Sequence, residues 1–456
     1  MNLRYLDKLF EILMSPTGAV LLFLVVIIMI ASFISERVNW ILLGGTLWIT
    51  TFGYVVNEWF DITLWAPLQF LRMNARQLSI MGLLLIFCLL LIRLKWTHLS
   101  SGILSWLFFQ LCWAGDLLIG GDYEKGVLGG IVIVLLCIVL CVEFGGCLLE
   151  EKAHSAIRTV LLTFVICFLG GILIQFLVNL GAMTPGGGRF MGTSDNAQAC
   201  GWTLSTCCLI LLFLWYSWDQ KKLALKVLLL SLGLFALLFL LWTGSRTAWL
   251  TIIVSVSCFF RHRLGSLIFG FVPVVGFFVA YLVLFSSSDA MSVISTRNLT
   301  ADTRSMVWLD LWNTFMKNPL IGSRYIVGGE SSYLTIAASM GVVGLSILGL
   351  AFFCGLKNLF YVWKGYHLLD SRDKAMYDYV FAGLVSMSVC AMLDGFLLAL
   401  LTVYAVFPWI YLTLLNYLMR RVSELSEEEY NLGSEVLEEN DPYHVLEAFG
   451  DYPVSR

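Results

Sequence analysis

Long apolar runs, repeated down almost the whole chain, constrain this fold more than any other feature. Residues 227–243 read VLLLSLGLFALLFLLWT without one charge. A helix crossing a bilayer needs about 20 mostly apolar residues, because in hydrocarbon each backbone amide has to find its partner within its own segment. Stretches that meet or approach this length lie near 17–35, 39–56, 77–92, 99–115, 127–148, 159–178, 197–216, 227–243, 247–260, 265–285, 333–355, 377–395 and 397–418. They predict an all-α integral membrane protein, a polytopic bundle of 12 or 13 transmembrane helices. One early segment can lie in the interface instead of crossing, and residues 57–76, where tryptophans mix with charges, are the ambiguous stretch. Only 13% of the 456 residues are charged, against about 25% in soluble domains. Lipid is therefore the main solvent.

Lysine and arginine in the short loops set the expected orientation. Arg93 and Lys95, the 150–158 loop, Lys221, Lys222 and Lys226, Arg261 and Arg263, Lys357 to Lys374, and Arg420 with Arg421 fall in alternate loops, assigned to the cytoplasm. Residues 115–126, 179–196, the turn at 243–246 and the large loop 286–332 are then extracytoplasmic. Thirteen spans would put the N-terminus outside and twelve inside; Arg4 and Lys8 favour inside. The segment 17–35 has no small-residue cleavage site and reads as a retained helix. Residues 1–421 form one membrane domain. Residues 422–456, rich in glutamate, are expected to be a disordered cytoplasmic tail, either a plain solvated tail or a docking segment for partner proteins.

Several functions are disfavoured at once. A net charge of −3 without a basic, aromatic-interleaved patch gives nucleic acid nothing to bind. Most of the cysteines lie in apolar runs, where they act as small hydrophobes. The five histidines are scattered, so no zinc or iron site and no cofactor is expected.

The polar chemistry gathers in three outer segments. Thr184-Pro185-Gly186-Gly187-Gly188-Arg189-Phe190-Met191-Gly192-Thr193-Ser194-Asp195-Asn196 joins two spans, with Arg189 offering a planar fork of donors suited to phosphate. Trp242-Thr243-Gly244-Ser245-Arg246-Thr247 is a short turn that puts Arg246 at the hydrocarbon boundary, either as an interface anchor or beside a ligand. In the loop 286–332, residues 302–316 have the spacing of an amphipathic helix. Asp302 or Thr303 is its N-cap, Trp308, Leu311, Trp312 and Phe315 form its apolar stripe, and Arg304 falls in its first turn. Asn318-Pro319 ends it. Arg324, Glu330 and a helix opening at Ser332-Tyr333-Leu334 follow. Asp394, near the outer end of a later span, can pair with Arg246 or Arg324, or act chemically.

In order and spacing these motifs resemble the O-antigen ligase and polymerase family of bacterial membrane glycosyltransferases. The matching features are Arg189-Phe190-x-Gly192 with Asn196, Thr243-Gly244-Ser245-Arg246, and Arg304 with Trp308 and Trp312. Asn318-Pro319-Leu320-Ile321-Gly322 and Ser332-Tyr333-Leu334 running into Met340-Gly341-Val342-Val343-Gly344-Leu345 complete the set, which covers residues 185–345. Where the family carries a His-Asn pair this chain has Glu330-Ser331, a departure that points away from a lipid A-core ligase. The resemblance implies transfer of a glycan from a polyprenyl diphosphate to an acceptor sugar at the outer face of the cell membrane, with inversion and without a metal. A polysaccharide polymerase for capsule, exopolysaccharide or O-antigen is expected first, and a ligase acting on a wall or lipid acceptor second. A polysaccharide or lipid transporter is the alternative from another class. Arg246 and Arg304 would neutralise the diphosphate. Arg189, Asn196, Ser245, Asp302, Trp308, Arg324 and Tyr333 would line the substrate, and Glu330 would either serve as base or pair with an arginine. The expected partners are the lipid-linked donor, the glycan acceptor, membrane lipids and, through the tail, the polysaccharide export machinery.

Overall fold

A computed structural model describes residues 27, 30–31, 35–52, 64–91, 98–148, 153–184, 188–194, 196–218, 223–262, 303–324, 329–399 and 401–439. Among these every regular element is helical: α1 (Glu36–Ile49), α2 (Ala66–Met73), α3 (Ala75–Leu91), α4 (Ser101–Ile119), α5 (Tyr123–Cys147), α6 (Ala153–Val178), α7 (Ala197–Ser217), α8 (Leu223–Thr243), α9 (Arg246–Phe259), α10 (Thr303–Lys317), α11 (Ser332–Lys364), α12 (Ser371–Leu393) and α13 (Val403–Glu439). Seven of them, α4 to α8, α11 and α12, are long and apolar enough to cross a membrane, and α2 with α3, bent by 78°, gives an eighth if the pair is one span. The expected spans near 265–285 and most of 17–35 fall outside the described residues, as do Asp302, Asp195 and the loop up to 302. Helix α9 is apolar but has only 14 residues, about 21 Å of rise against a hydrocarbon core of about 30 Å.

The bundle is organised around α7 and the first half of α13. Helix α7 packs on α6, α8, α9 and α12, and α13 from Val403 to Leu418 is buried throughout. That stretch contains Tyr404, Pro408, Trp409, Tyr411, Thr413 and Asn416. A helix that faces protein on every side needs less aliphatic surface than one that faces lipid, and it can use polar groups as cross-links. Thr413 illustrates the point. Its hydroxyl lies 2.7 Å from the Trp409 carbonyl and 3.3 Å from that of Leu140. Leu140 sits in the π-helical stretch Cys137–Phe144 of α5, where the wider turn displaces backbone groups from their usual partners.

Two features of the chain differ from expectation. Helix α13 does not end near Val422 but runs to Glu439. Its buried half supplies the nucleus, and the glutamates beyond are good helix formers that extend it at little cost. Helix α11 looks continuous in sequence, yet Gly341 has φ 67° and ψ −161° within it. The backbone groups released at this break are taken up by the segment after α10. Ser323 and Arg324 amides donate to the Ala338 and Ser339 carbonyls at 2.8 and 2.9 Å, and Val342 and Val343 amides donate to Pro319 and Leu320 at 2.8 and 3.2 Å. Gly322 and Gly341 make the approach possible, since a Cβ at either would lie within 2.5 Å of the facing backbone. The Pro-Leu-Ile-Gly and Met-Gly motifs are thus two halves of one backbone joint, satisfying groups that a membrane interior would leave unpaired.

Candidate functional site

Four helix ends meet at one end of the bundle. Asn196 caps α7, its side chain accepting from the Gln198 amide at 2.7 Å. Ser245 caps α9 by accepting from Ala248, and Ser331 caps α11 by accepting from Leu334. These are the ordinary N-cap roles of Asn and Ser. Helix α12 arrives from the opposite direction and stops at Leu393 before the buried Asp394. The turn between α8 and α9 is pressed onto α7 because residue 201 is glycine. A Cβ there would lie 2.9 Å from Ala248 Cβ and 3.0 Å from Ser245 Cβ. Ser205 of α7 then donates to the Ala248 carbonyl at 2.9 Å.

Arg304 is the centre of this arrangement. From the first turn of α10 its Nε lies 2.9 Å from Glu330 Oε2, and its Nη2 donates to Thr247 Oγ1 at 3.2 Å. The pair is only partly enclosed, with 28% of the arginine and 34% of the glutamate side chain exposed. Both charges therefore remain open to a ligand. Asp394 lies within the field of Arg304 and Glu330, beside Thr247 and Trp202. One cation thus faces two carboxylates, next to the positive ends of three helix dipoles. Trp308 of α10 donates from its indole N–H to the Glu330 carbonyl at 3.4 Å, which fixes α10 over the glutamate.

Ser332 ties Asp394 to the start of α11. Its hydroxyl donates to the Asp394 carbonyl at 2.7 Å and accepts from the Phe396 and Leu397 amides at 3.0 and 3.2 Å, while its own amide also donates to Asp394 O. Gln110 of α4 donates to the Leu397 carbonyl. Trp202 packs edge-on against Phe396 and Tyr404. The carboxylate is held by backbone anchored on three helices.

The remaining candidates are placed as follows. Arg189 donates from Nε to the Thr243 carbonyl at 2.6 Å, and Phe190 is fully buried against Phe239 and Trp242. The Arg-Phe motif therefore holds the α8–α9 turn. Arg246 opens α9 with an exposed side chain, and its guanidinium forms no hydrogen bond or ion pair with another described residue. The residue of this turn that meets Arg304 is Thr247. Arg324, at φ 60°, has its carbonyl against Gly120 and its charge within the field of Asp116 of α4. Tyr333 donates its hydroxyl to the Ser388 carbonyl at 2.8 Å and so pins α11 to α12. The structure brings together Arg304, Glu330 and Trp308, with Asn196 and Ser245 as caps behind them. It does not bring Arg246, Arg189 and Arg324 into contact with the pair.

Asp394 finds its cation in Arg304, where the sequence suggested Arg246 or Arg324. Thr247 and Trp202 were not singled out. Nothing local marks them, because their role depends on α9 meeting α10, and on α7 and α9 meeting the end of α12, segments far apart in the sequence. At the opposite end His154, Asp370 and Asp373 bring one ligand atom each within 4.8 Å of one another. The protein fills that cluster itself, since His154 Nε2 lies 3.2 Å from Asp373 Oδ1 and Arg421 reaches Asp373 Oδ2 at 3.8 Å. No protein-family model matches the chain, and no curated protein matches it significantly.

Proposed function

We propose that this protein transfers a glycan from a polyprenyl diphosphate to the hydroxyl of an acceptor sugar, in the manner of a polysaccharide polymerase. The observation that carries this reading is the partly open Arg304–Glu330 pair, placed beside Asp394 where α7, α9 and α11 begin. A sugar diphosphate already has a good leaving group, so the protein's task is positioning and charge compensation. The guanidinium of Arg304 can present parallel N–H donors to phosphate oxygens. A diphosphate that took this guanidinium would release Glu330 from its ion pair. The freed carboxylate could then accept the proton of the acceptor hydroxyl as its oxygen bonds to the anomeric carbon and the bond from that carbon to the phosphate oxygen breaks. Attack opposite the departing diphosphate inverts the anomeric centre. Arg246, exposed one residue before Thr247, is available to the rest of the diphosphate.

The resemblance to O-antigen ligases and polymerases supports the same reading, and Glu330 in place of the family's histidine favours a polymerase over a ligase. A transporter would move the lipid-linked glycan without breaking a bond. Purified protein in proteoliposomes supplied with a polyprenyl-diphosphate oligosaccharide separates the two. Longer glycans are the expected product. Translocated but unextended donor would reject the enzyme and favour the transporter.

A further inference from the structure

Helix α10 has three sides of different chemistry, and only one of them meets the bundle. Successive helix residues point about 100° apart, so positions three and four apart share a side. Arg304, Trp308, Leu311 and Phe315 make the inner side: Arg304 and Trp308 reach Glu330, and Leu311 is buried against Gly329. About 100° further round run Leu309, Trp312 and Met316, all exposed, Leu309 at 59% and Met316 at 58%. One more step of about 100° brings Asp310, Asn313 and Lys317, which are also exposed. Protein, apolar and polar sides follow one another in equal steps.

The apolar side is not isolated. It continues into the exposed Leu320 and Ile321, and the Val343 amide donates to the Leu320 carbonyl. Val342 and Val343 begin the exposed apolar side of α11, which runs on through Leu350 and Phe353. Helix α11 is long and apolar enough to cross the membrane, and large apolar side chains left open along such a span face lipid. The stripe on α10 therefore extends a surface that acyl chains already cover. Water against it would leave a contiguous apolar patch of the kind that soluble surfaces avoid. A polar stripe directly beside an apolar one is the pattern of a helix lying where hydrocarbon gives way to headgroups.

We propose that Leu309, Trp312 and Met316 are seated among the acyl chains of the leaflet at the Arg304 end, making α10 an interfacial helix whose Asp310–Lys317 side faces water. The inference stands on helix geometry and is independent of the reaction at Arg304. Two native methionines test it in the full-length chain. Met306, four residues before Asp310 and 71% exposed, falls on the polar side, and Met316 falls on the apolar side. The protein in phosphatidylcholine nanodiscs is treated with chloramine-T, an anionic oxidant that stays in water and converts methionine to its sulfoxide. Mass spectrometry should find Met306 oxidised several-fold faster than Met316. A photo-reactive p-benzoylphenylalanine in place of Leu309 should then cross-link to phospholipid on irradiation, whereas one in place of Asn313 should not. Equal oxidation of the two methionines, or a cross-link from position 309 to a second copy of this chain and none to lipid, would overturn the proposal.

Discussion

Arg304 combines three properties that no other arginine among the described residues shows together. It is partly exposed, ion-paired to a carboxylate that is itself partly exposed, and within the field of the buried Asp394. Removing a preorganised donor from a developing anion costs about 2.7–4 kcal/mol. Arg304→Lys should therefore slow glycan transfer by roughly 10² to 10³, with glycan length on gels as the readout. Lysine keeps the charge but loses the fork, so a near-normal rate would mean that bidentate contact is not used. Glu330→Gln should also slow transfer. Combining it with Arg304→Lys should cost less than the product of the single effects, because the two act as one unit. Sequence alone made Arg304 legible, as a cation in the first turn of an outer amphipathic helix. It could not show that Thr247, and not Arg246, would meet it, since consecutive helix residues point about 100° apart and only packing decides which faces inward.

The helices themselves were the most legible part, because length and hydropathy leave apolar stretches of this kind few alternatives. The interruption of α11 at Gly341 was not, since an apolar run carries no mark of a break. Its cause is the segment from Pro319 to Arg324, which replaces the missing intrahelical partners. The joint gives a direct prediction. At Gly341 a Cβ would sit 2.4 Å from Leu320 backbone, on a residue whose φ is 67°. Gly341→Ala should destabilise the fold by at least about 1–2 kcal/mol, the left-handed penalty for an L-residue, seen as a lower melting temperature of the purified protein. An unchanged melting temperature would show that the joint is looser than drawn. Gly201→Val should likewise push the α8–α9 turn off α7 and displace Thr247. Transfer should then fall even where the variant inserts and folds, a split that a purely structural glycine would not give.

Across the whole molecule, the two polar clusters lie at opposite ends of α7, α9, α11 and α12, separated by aromatic and aliphatic packing. The positive-inside rule assigns the end with Arg261, Lys374 and Arg421 to the cytoplasm. Single cysteines placed at Arg246 and at Arg372 in a variant lacking the exposed native thiol should then label from opposite faces with a membrane-impermeant reagent. Labelling of both from one face would refute the topology. The acidic extension of α13 continues from the basic end as a helix, an outcome that charge composition did not indicate because helix propensity and disorder draw on the same glutamate-rich sequences. The dependence of sugar–phosphate bond cleavage on the Arg304–Glu330 pair is the core of the proposed function. Its most direct test is ³¹P detection of polyprenyl diphosphate released in proteoliposomes, with wild type and Arg304→Lys compared at equal protein. Release in step with glycan extension, lost in the variant, is the predicted result; extension or release unaffected by Arg304→Lys would contradict it.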